Sequence, residues 1–205
     1  MDILGTIFGS EARVRIMRLF LFNSEVFFDI DMVSDKSKVS KKVARKEIAL
    51  LEKVKLIKKK DFVKTLPNKK NKKGADIKVK THGYYLNEDF LYITAFKQLL
   101  IKTKMLEGGE IVKRLARVGA LKLVIVAGVF TQEKESRVDM FVVGNNINKP
   151  ALNRVIKSIE AELGKELIYV CFETPDFQYR LGMYDKLIRD VLDYPHQVLL
   201  DKISL

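Results

Sequence analysis

The sequence predicts an α+β protein in two parts. Three observations predict it. Helical periodicity dominates residues 10–54, a lysine-rich hairpin pattern follows to residue 86, and from residue 110 short apolar strands alternate with helices. Charge divides at the same place. The chain has 205 residues and a net charge of +12. Residues 1–85 carry 21 Lys and Arg against 10 Asp and Glu, whereas residues 86–205 carry 17 against 16. A basic part joined to a neutral part suggests a polyanion-binding module fused to a domain with another task. Nucleic acid is the usual polyanion, because Lys and Arg displace condensed counterions from phosphates.

The elements follow in order. Ser10 is a helix cap, and Val14, Met17 and Leu21 mark the inner face of a first helix over 10–22. A short second helix is expected near Asp29–Lys36, with Ile30 and Val33 inward. Ser40 caps a third helix through Val54, with Ala44, Ile48 and Leu51 at i, i+4 and i+7. On its outer face Lys41 and Arg45 are four apart, as are Lys42 and Lys46. Like charges at that spacing repel, so a helix built only for stability would avoid them. Lys58, Lys59, Lys60 and Val63 form a strand. A basic loop of Pro67 to Gly74 leads to a second strand ending Tyr84-Tyr85-Leu86. His82 is expected as an exposed strand residue.

Three helices and a basic hairpin are the order of a winged helix-turn-helix. Phe8-Gly9-Ser10, Arg13-Val14-Arg15-Ile16, Leu19-Phe20-Leu21, Arg45-Lys46-Glu47-Ile48, Leu51-Glu52-Lys53 and Tyr84-Tyr85-Leu86-Asn87 resemble the winged-helix repressors of the ArsR-like group over about residues 8–87. Lys36-Ser37-Lys38 stands where the second helix of that group ends in Gly, and Lys55 stands at a second Gly position. The wing loop is longer and more basic than usual. The resemblance implies a DNA-binding domain over 1–87, with the third helix in the major groove and the wing on the backbone. Ser40, Lys41, Lys42, Arg45 and Lys46 are then candidates on the helix. Lys58, Lys59, Lys60, Lys69, Lys70, Lys72 and Lys73 are the wing candidates, contributing affinity and salt dependence rather than sequence preference. The expected partner is double-stranded DNA. RNA is the weaker reading, since no aromatic stacking platform is visible. A solvated basic face in a protein-binding adaptor is the plain alternative.

Residues 88–109 are expected to connect the two parts, with a helix over 88–105 and a boundary at Gly108-Gly109. Phe90, Leu91, Ile93, Phe96, Leu99 and Leu100 surround that helix. One stripe could pack on its own domain while the other meets a second copy, giving a homodimer suited to two half-sites.

The C-terminal domain, 110–205, reads as a helix over 110–118, strands at 121–127 and 138–143, a helix at 150–163 and a strand at 166–172. Helices within 175–192 and a last strand near 197–200 complete a mixed sheet covered by helices. Thr174 is expected as a cap, with Pro175 at the first helical position. The turn after Ala127, Ser136 to Gly144, Leu163-Gly164-Lys165-Glu166, Thr174-Pro175-Asp176-Phe177 and Val198-Leu199-Leu200 resemble the minimal nucleotidyltransferase fold of the DNA polymerase beta superfamily. An active member needs a Gly-Ser turn, an Asp-x-Asp pair on one strand face and a third acid on a neighbouring strand to hold two metal ions. Here Gly128 precedes Val129, Arg137 stands at the first acid and only Asp139 remains. Gln132 replaces the usual basic residue. The third strand has Glu166 and Glu173 only at its ends, and Glu133 or Glu135 could enter from the loop. One acid cannot hold two hard cations.

The resemblance therefore implies a catalytically dead copy, with Gly128, Arg137 and Asp139 as relics of a nucleotide site and neither metal nor cofactor. A structural or dimerising role is the simplest reading. Retained nucleotide sensing, with Arg137 meeting phosphate, is its alternative. The expected function is a DNA-binding transcriptional regulator. The rivals are an active nucleotidyltransferase targeted by the winged helix, and a non-catalytic adaptor. No apolar run is long enough to span a membrane, and residues 1–16 lack the pattern of a signal peptide. Cys171 is the only cysteine, is expected buried in a strand, and excludes an internal disulfide. These features suit the cytoplasm.

Overall fold

The computed structural model describes residues 3–66, 77–101, 106–133 and 135–204. The chain is α+β: N-terminal helices with a two-stranded hairpin, then a mixed four-stranded sheet with helices. It divides into two compact units, residues 1–101 with 161–165, and 102–160 with 166–205. No helix among the described residues is long and apolar enough to cross a membrane.

In the N-terminal unit a five-residue helix α1 (Ile3–Ile7) precedes the expected three. Its shortness leaves no periodicity to read. α2 (Glu11–Phe22) starts where the Ser10 hydroxyl accepts the Arg13 amide at 3.2 Å. α3 (Ile30–Ser37) starts where Asp29 accepts the Met32 amide at 2.7 Å. α4 (Lys41–Lys53) is capped by Ser40, which accepts from Val43 at 3.3 Å. Each cap satisfies a backbone donor that a helix leaves open at its start. The inward residues Val14, Met17, Val33, Ala44, Ile48 and Leu51 share one core.

The helix ends on either side of α4 are unusual. Lys38 (φ 52°) and Lys55 (φ 63°) both adopt the left-handed conformation. In each, the next amide reaches back five residues: Val39 to the Ser34 carbonyl at 3.1 Å, Leu56 to the Leu51 carbonyl at 3.0 Å. These are Schellman ends with lysine where glycine is cheapest.

β1 (Ile57–Leu66) and β2 (Ile77–Leu86) pair antiparallel from Ile57↔Leu86 to Leu66↔Ile77. Leu56, Ile57 and Leu86 root the hairpin in the core. Phe28 adds a bridge to Tyr84 at the other edge of β2.

The expected helix over 88–105 is much shorter: α5 spans Ile93–Leu100. Asn87 explains the late start. Its amide donates to the Leu56 carbonyl at 2.9 Å and its side chain to the Lys55 carbonyl at 2.8 Å. That tether holds the chain in turns until Ile93, with Phe90 packed edge-on against Phe96. Residues 102–105 lie outside the described residues. Phe90, Ile93, Phe96 and Leu100 turn inward, whereas Leu91, Tyr92 and Leu99 are exposed.

In the C-terminal unit, α6 spans Gly108–Leu115. Gly108 and Gly109, the expected boundary, form its first turn, and the compact units divide at 101/102. A Cβ at Gly108 would meet the end of the Leu199 side chain, which would have to shift. β3 (Ala120–Val126), β4 (Met140–Asn145), β5 (Tyr169–Glu173) and β6 (Gln197–Asp201) lie in the order β5-β4-β3-β6. β4 and β5 are parallel and the other pairs antiparallel.

α7 (Lys149–Leu163) is the crossover of the parallel pair. α8 (Thr174–Gly182) and α9 (Lys186–Asp193) bury Phe177, Ile188 and Val191 on one sheet face, against Leu123, Ile125, Phe141 and Val143. β4 and β5 begin two and three residues later than expected. Around Asp139 the pairing is irregular: the Asp139 and Met140 amides both donate to the Ile168 carbonyl, at 2.7 and 3.2 Å, and the Asp139 carboxylate accepts the Ile168 amide at 2.9 Å. Thr174 is the first helical residue and not the cap, a position that Glu173 takes. Cys171 is half-buried rather than buried, because β5 is an edge strand. Burial pushes its thiol pKa up, and Glu173 acts in the same direction.

Candidate nucleic-acid interface

The exposed face of α4 begins at its cap. The hydroxyl of Ser40, a candidate for base contact, is engaged in capping the helix. Lys41 turns back to Asp31 of α3 at 2.9 Å, so it is held in an exposed ion pair. Lys42, Arg45 and Lys46 are exposed and carry no ion pair among the described residues. They occupy i, i+3 and i+4, one stripe on the helix surface. Ala49 continues it at i+7 without adding bulk or charge.

Glu47 was not among the candidates, yet it determines how this face is presented. It completes the inward ladder Ala44, Glu47, Ile48, Leu51 at i, i+3, i+4 and i+7, and its side chain is 5% exposed. Its carboxylate accepts from Arg13 Nε at 2.8 Å, while Arg13 Nη1 donates to the Phe8 carbonyl at 2.6 Å. The pair ties α4 to α2 and to the turn before it. The full i+3/i+4 ladder was the signal in the sequence, but a carboxylate does not read as a core residue. Glu47→Ala would leave Arg13 unpaired in a largely buried place. We expect a loss of roughly 1–2 kcal/mol in urea unfolding, discounted because Arg13 keeps some solvent.

On the hairpin, Lys58, Lys59 and Lys60 are all exposed, and strand alternation sends Lys59 to the opposite face from the other two. Lys58 pairs with Asp89 at 3.0 Å. Lys60 lies 5.9 Å from the centre of the Phe27 ring, an exposed cation–π contact worth about 0.5–1 kcal/mol. Phe27 stacks on Phe62 and meets Tyr85, which stiffens that face of the hairpin. His82 is exposed as expected and pairs across the strands with Asp61. Lys69, Lys70, Lys72 and Lys73 lie outside the described residues.

The three residues expected as a relic nucleotide site are brought together only in part. Gly128 opens a single 3₁₀ turn, Gly128–Phe130, after β3. Asp139 lies against that turn, 6% exposed. One of its oxygens accepts the Val129 amide at 2.9 Å and the other the Ile168 amide at 2.9 Å. Its carbonyl accepts from Ala127 at 2.9 Å and its amide donates to Ile168 at 2.7 Å. Both carboxylate oxygens therefore serve the backbone. Gly128 sits at φ 53°, and a Cβ there would run into Asp139 Oδ1.

Arg137 points elsewhere. It is 59% exposed and pairs with Asp190 of α9 at 2.9 Å. Of the acids that could have joined the site, Glu133 accepts the Glu135 amide within its own loop. Glu173 accepts the amides of Asn146 and Ile147 at 3.1 and 3.3 Å, closing the turn after β4. Comparisons with protein-family models, curated proteins and solved structures find no match for this chain.

Proposed function

We propose that this chain is a DNA-binding transcriptional regulator. In this reading the N-terminal unit is a winged helix-turn-helix that reads duplex DNA through α4 and grips the backbone with the hairpin. The observation that carries it is the stripe of Lys42, Arg45 and Lys46, exposed and without carboxylate partners on a rigidly tethered helix. Unpaired like charges destabilise a free helix, and a phosphate-rich groove removes that repulsion. The C-terminal unit, in the same reading, is a nucleotidyltransferase-like domain without activity. The hydrogen-bond set of Asp139 supports this, because each carboxylate oxygen already serves a backbone amide and the group is engaged in holding the turn together. Exposed Leu91, Tyr92 and Leu99 supply an apolar strip for pairing two copies.

The test is binding to duplex DNA across a salt series, followed by selection of bound sequences from a random pool. Log K should fall linearly with log salt, at about −0.9 per phosphate contacted. The selected sequences should share a motif. Affinity independent of salt, or no enrichment, refutes the reading.

A further inference from the structure

A second gathering of positive charge lies in the neutral half of the chain, where charge counting gave no reason to expect one. α6 and α7 border an open groove of about 760 Å³. Lys113, Arg114 and Arg117 line it from α6 and the turn that follows, and Arg154 from α7, against a single carboxylate, Glu110. The Asn148 amide donates to the Val118 carbonyl at 2.8 Å, joining the start of α7 to the end of the α6 turn.

The arginines of the C-terminal unit fall into two groups. Arg137, Arg180 and Arg189 are each paired, with Asp190, with Asp176 and Asp185, and with Asp193. Arg117 and Arg154 have no ion-pair partner among the described residues, and both line the groove. Lys113 joins them unpaired, four residues before Arg117. Only Arg114 has a local carboxylate, Glu110. The dipole of α6 favours cations in its last turn and accounts for Lys113 and Arg114. It does not account for Arg154, at the sixth position of α7, directed at the same space.

The chemistry of the lining narrows the ligand. Guanidinium forks match phosphate bidentately. The rest of the lining is Ser158 and the aliphatic side chains of Val118, Ala151 and Val155, with no aromatic ring on which a base could stack. Recognition must then run through the anionic groups themselves. The space is also far larger than one phosphate fills.

We propose that this groove binds a small oligophosphate, a ligand carrying two or more linked phosphates held by Arg117 and Arg154 with Lys113 and Arg114. The proposal does not depend on the DNA reading, because the groove belongs wholly to the C-terminal unit. It also differs from the expected phosphate contact at Arg137, which lies on the α9 side of the sheet.

Calorimetric titration of the full chain with sodium tripolyphosphate at constant ionic strength is the test. Arg117→Gln with Arg154→Gln should raise Kd at least tenfold. Arg154→Lys, which keeps the charge and loses the fork, should fall between. Lys42→Gln with Arg45→Gln, on α4, should change Kd less than twofold. Exposed Arg117 and Arg154 support no core, so the melting temperature without ligand should be unchanged. No binding, equal affinity in the groove variant, or loss in the α4 variant overturns the proposal. So does hexaglutamate binding as tightly as tripolyphosphate, which would mark a general cation patch.

Discussion

Arg45→Ala is expected to weaken binding to a selected duplex by about 1–3 kcal/mol, the range of one good base-edge contact. On random duplex the loss should be several-fold smaller. Arg45 lies at the centre of the free stripe, one turn from Lys42 and beside Lys46, with no carboxylate to hold it back. Lys41→Ala should cost less, because its ammonium already faces Asp31. Gel-shift or anisotropy titrations of both variants on both duplexes measure the difference. Equal losses on selected and random DNA would reduce Arg45 to a phosphate contact.

Asp139→Asn should act on stability and not on chemistry. The substitution keeps the shape and replaces one acceptor oxygen by an NH₂ group. That group must face the amide of Val129 or of Ile168, each now 2.9 Å from oxygen. A donor facing a donor loses a charge-assisted hydrogen bond and strands a buried amide, at about 3 kcal/mol together. Urea unfolding should show that loss. Labelled nucleoside triphosphates with magnesium should give no transfer to any acceptor, in either protein. Transfer by the wild type that Asp139→Asn removes would restore the enzyme reading.

These two residues also show what the sequence could and could not disclose. Ser10 and Ser40 are visible as caps because cap chemistry is local, and both caps form. The inward positions of α2 and α4 follow from periodicity, which is also local. The mixed sheet follows from alternating short elements, whereas its strand order was not read from the sequence. What was not legible depends on partners distant in sequence. Asn87 shortens the connecting helix by reaching the turn at Lys55, 32 residues earlier. Asp139 bonds Ile168, 29 residues later, where the pairing is irregular. Glu47 is buried because Arg13 is there to meet it, 34 residues away. The groove of α6 and α7 was hidden for the same reason, since Arg154 and Arg117 meet only in the folded unit.

The two left-handed lysines imply a compromise between durability and use. Lys38 stands three residues before α4 and Lys55 two residues after it, at positions where glycine would relieve about 1 kcal/mol of backbone strain each. Any screen for heat resistance alone should therefore favour glycine at both sites and strip two cations from the flanks of the proposed reading helix. A screen for occupancy of DNA should restore them. Stability given up at these two turns would then be a consequence of where the unit holds its charge.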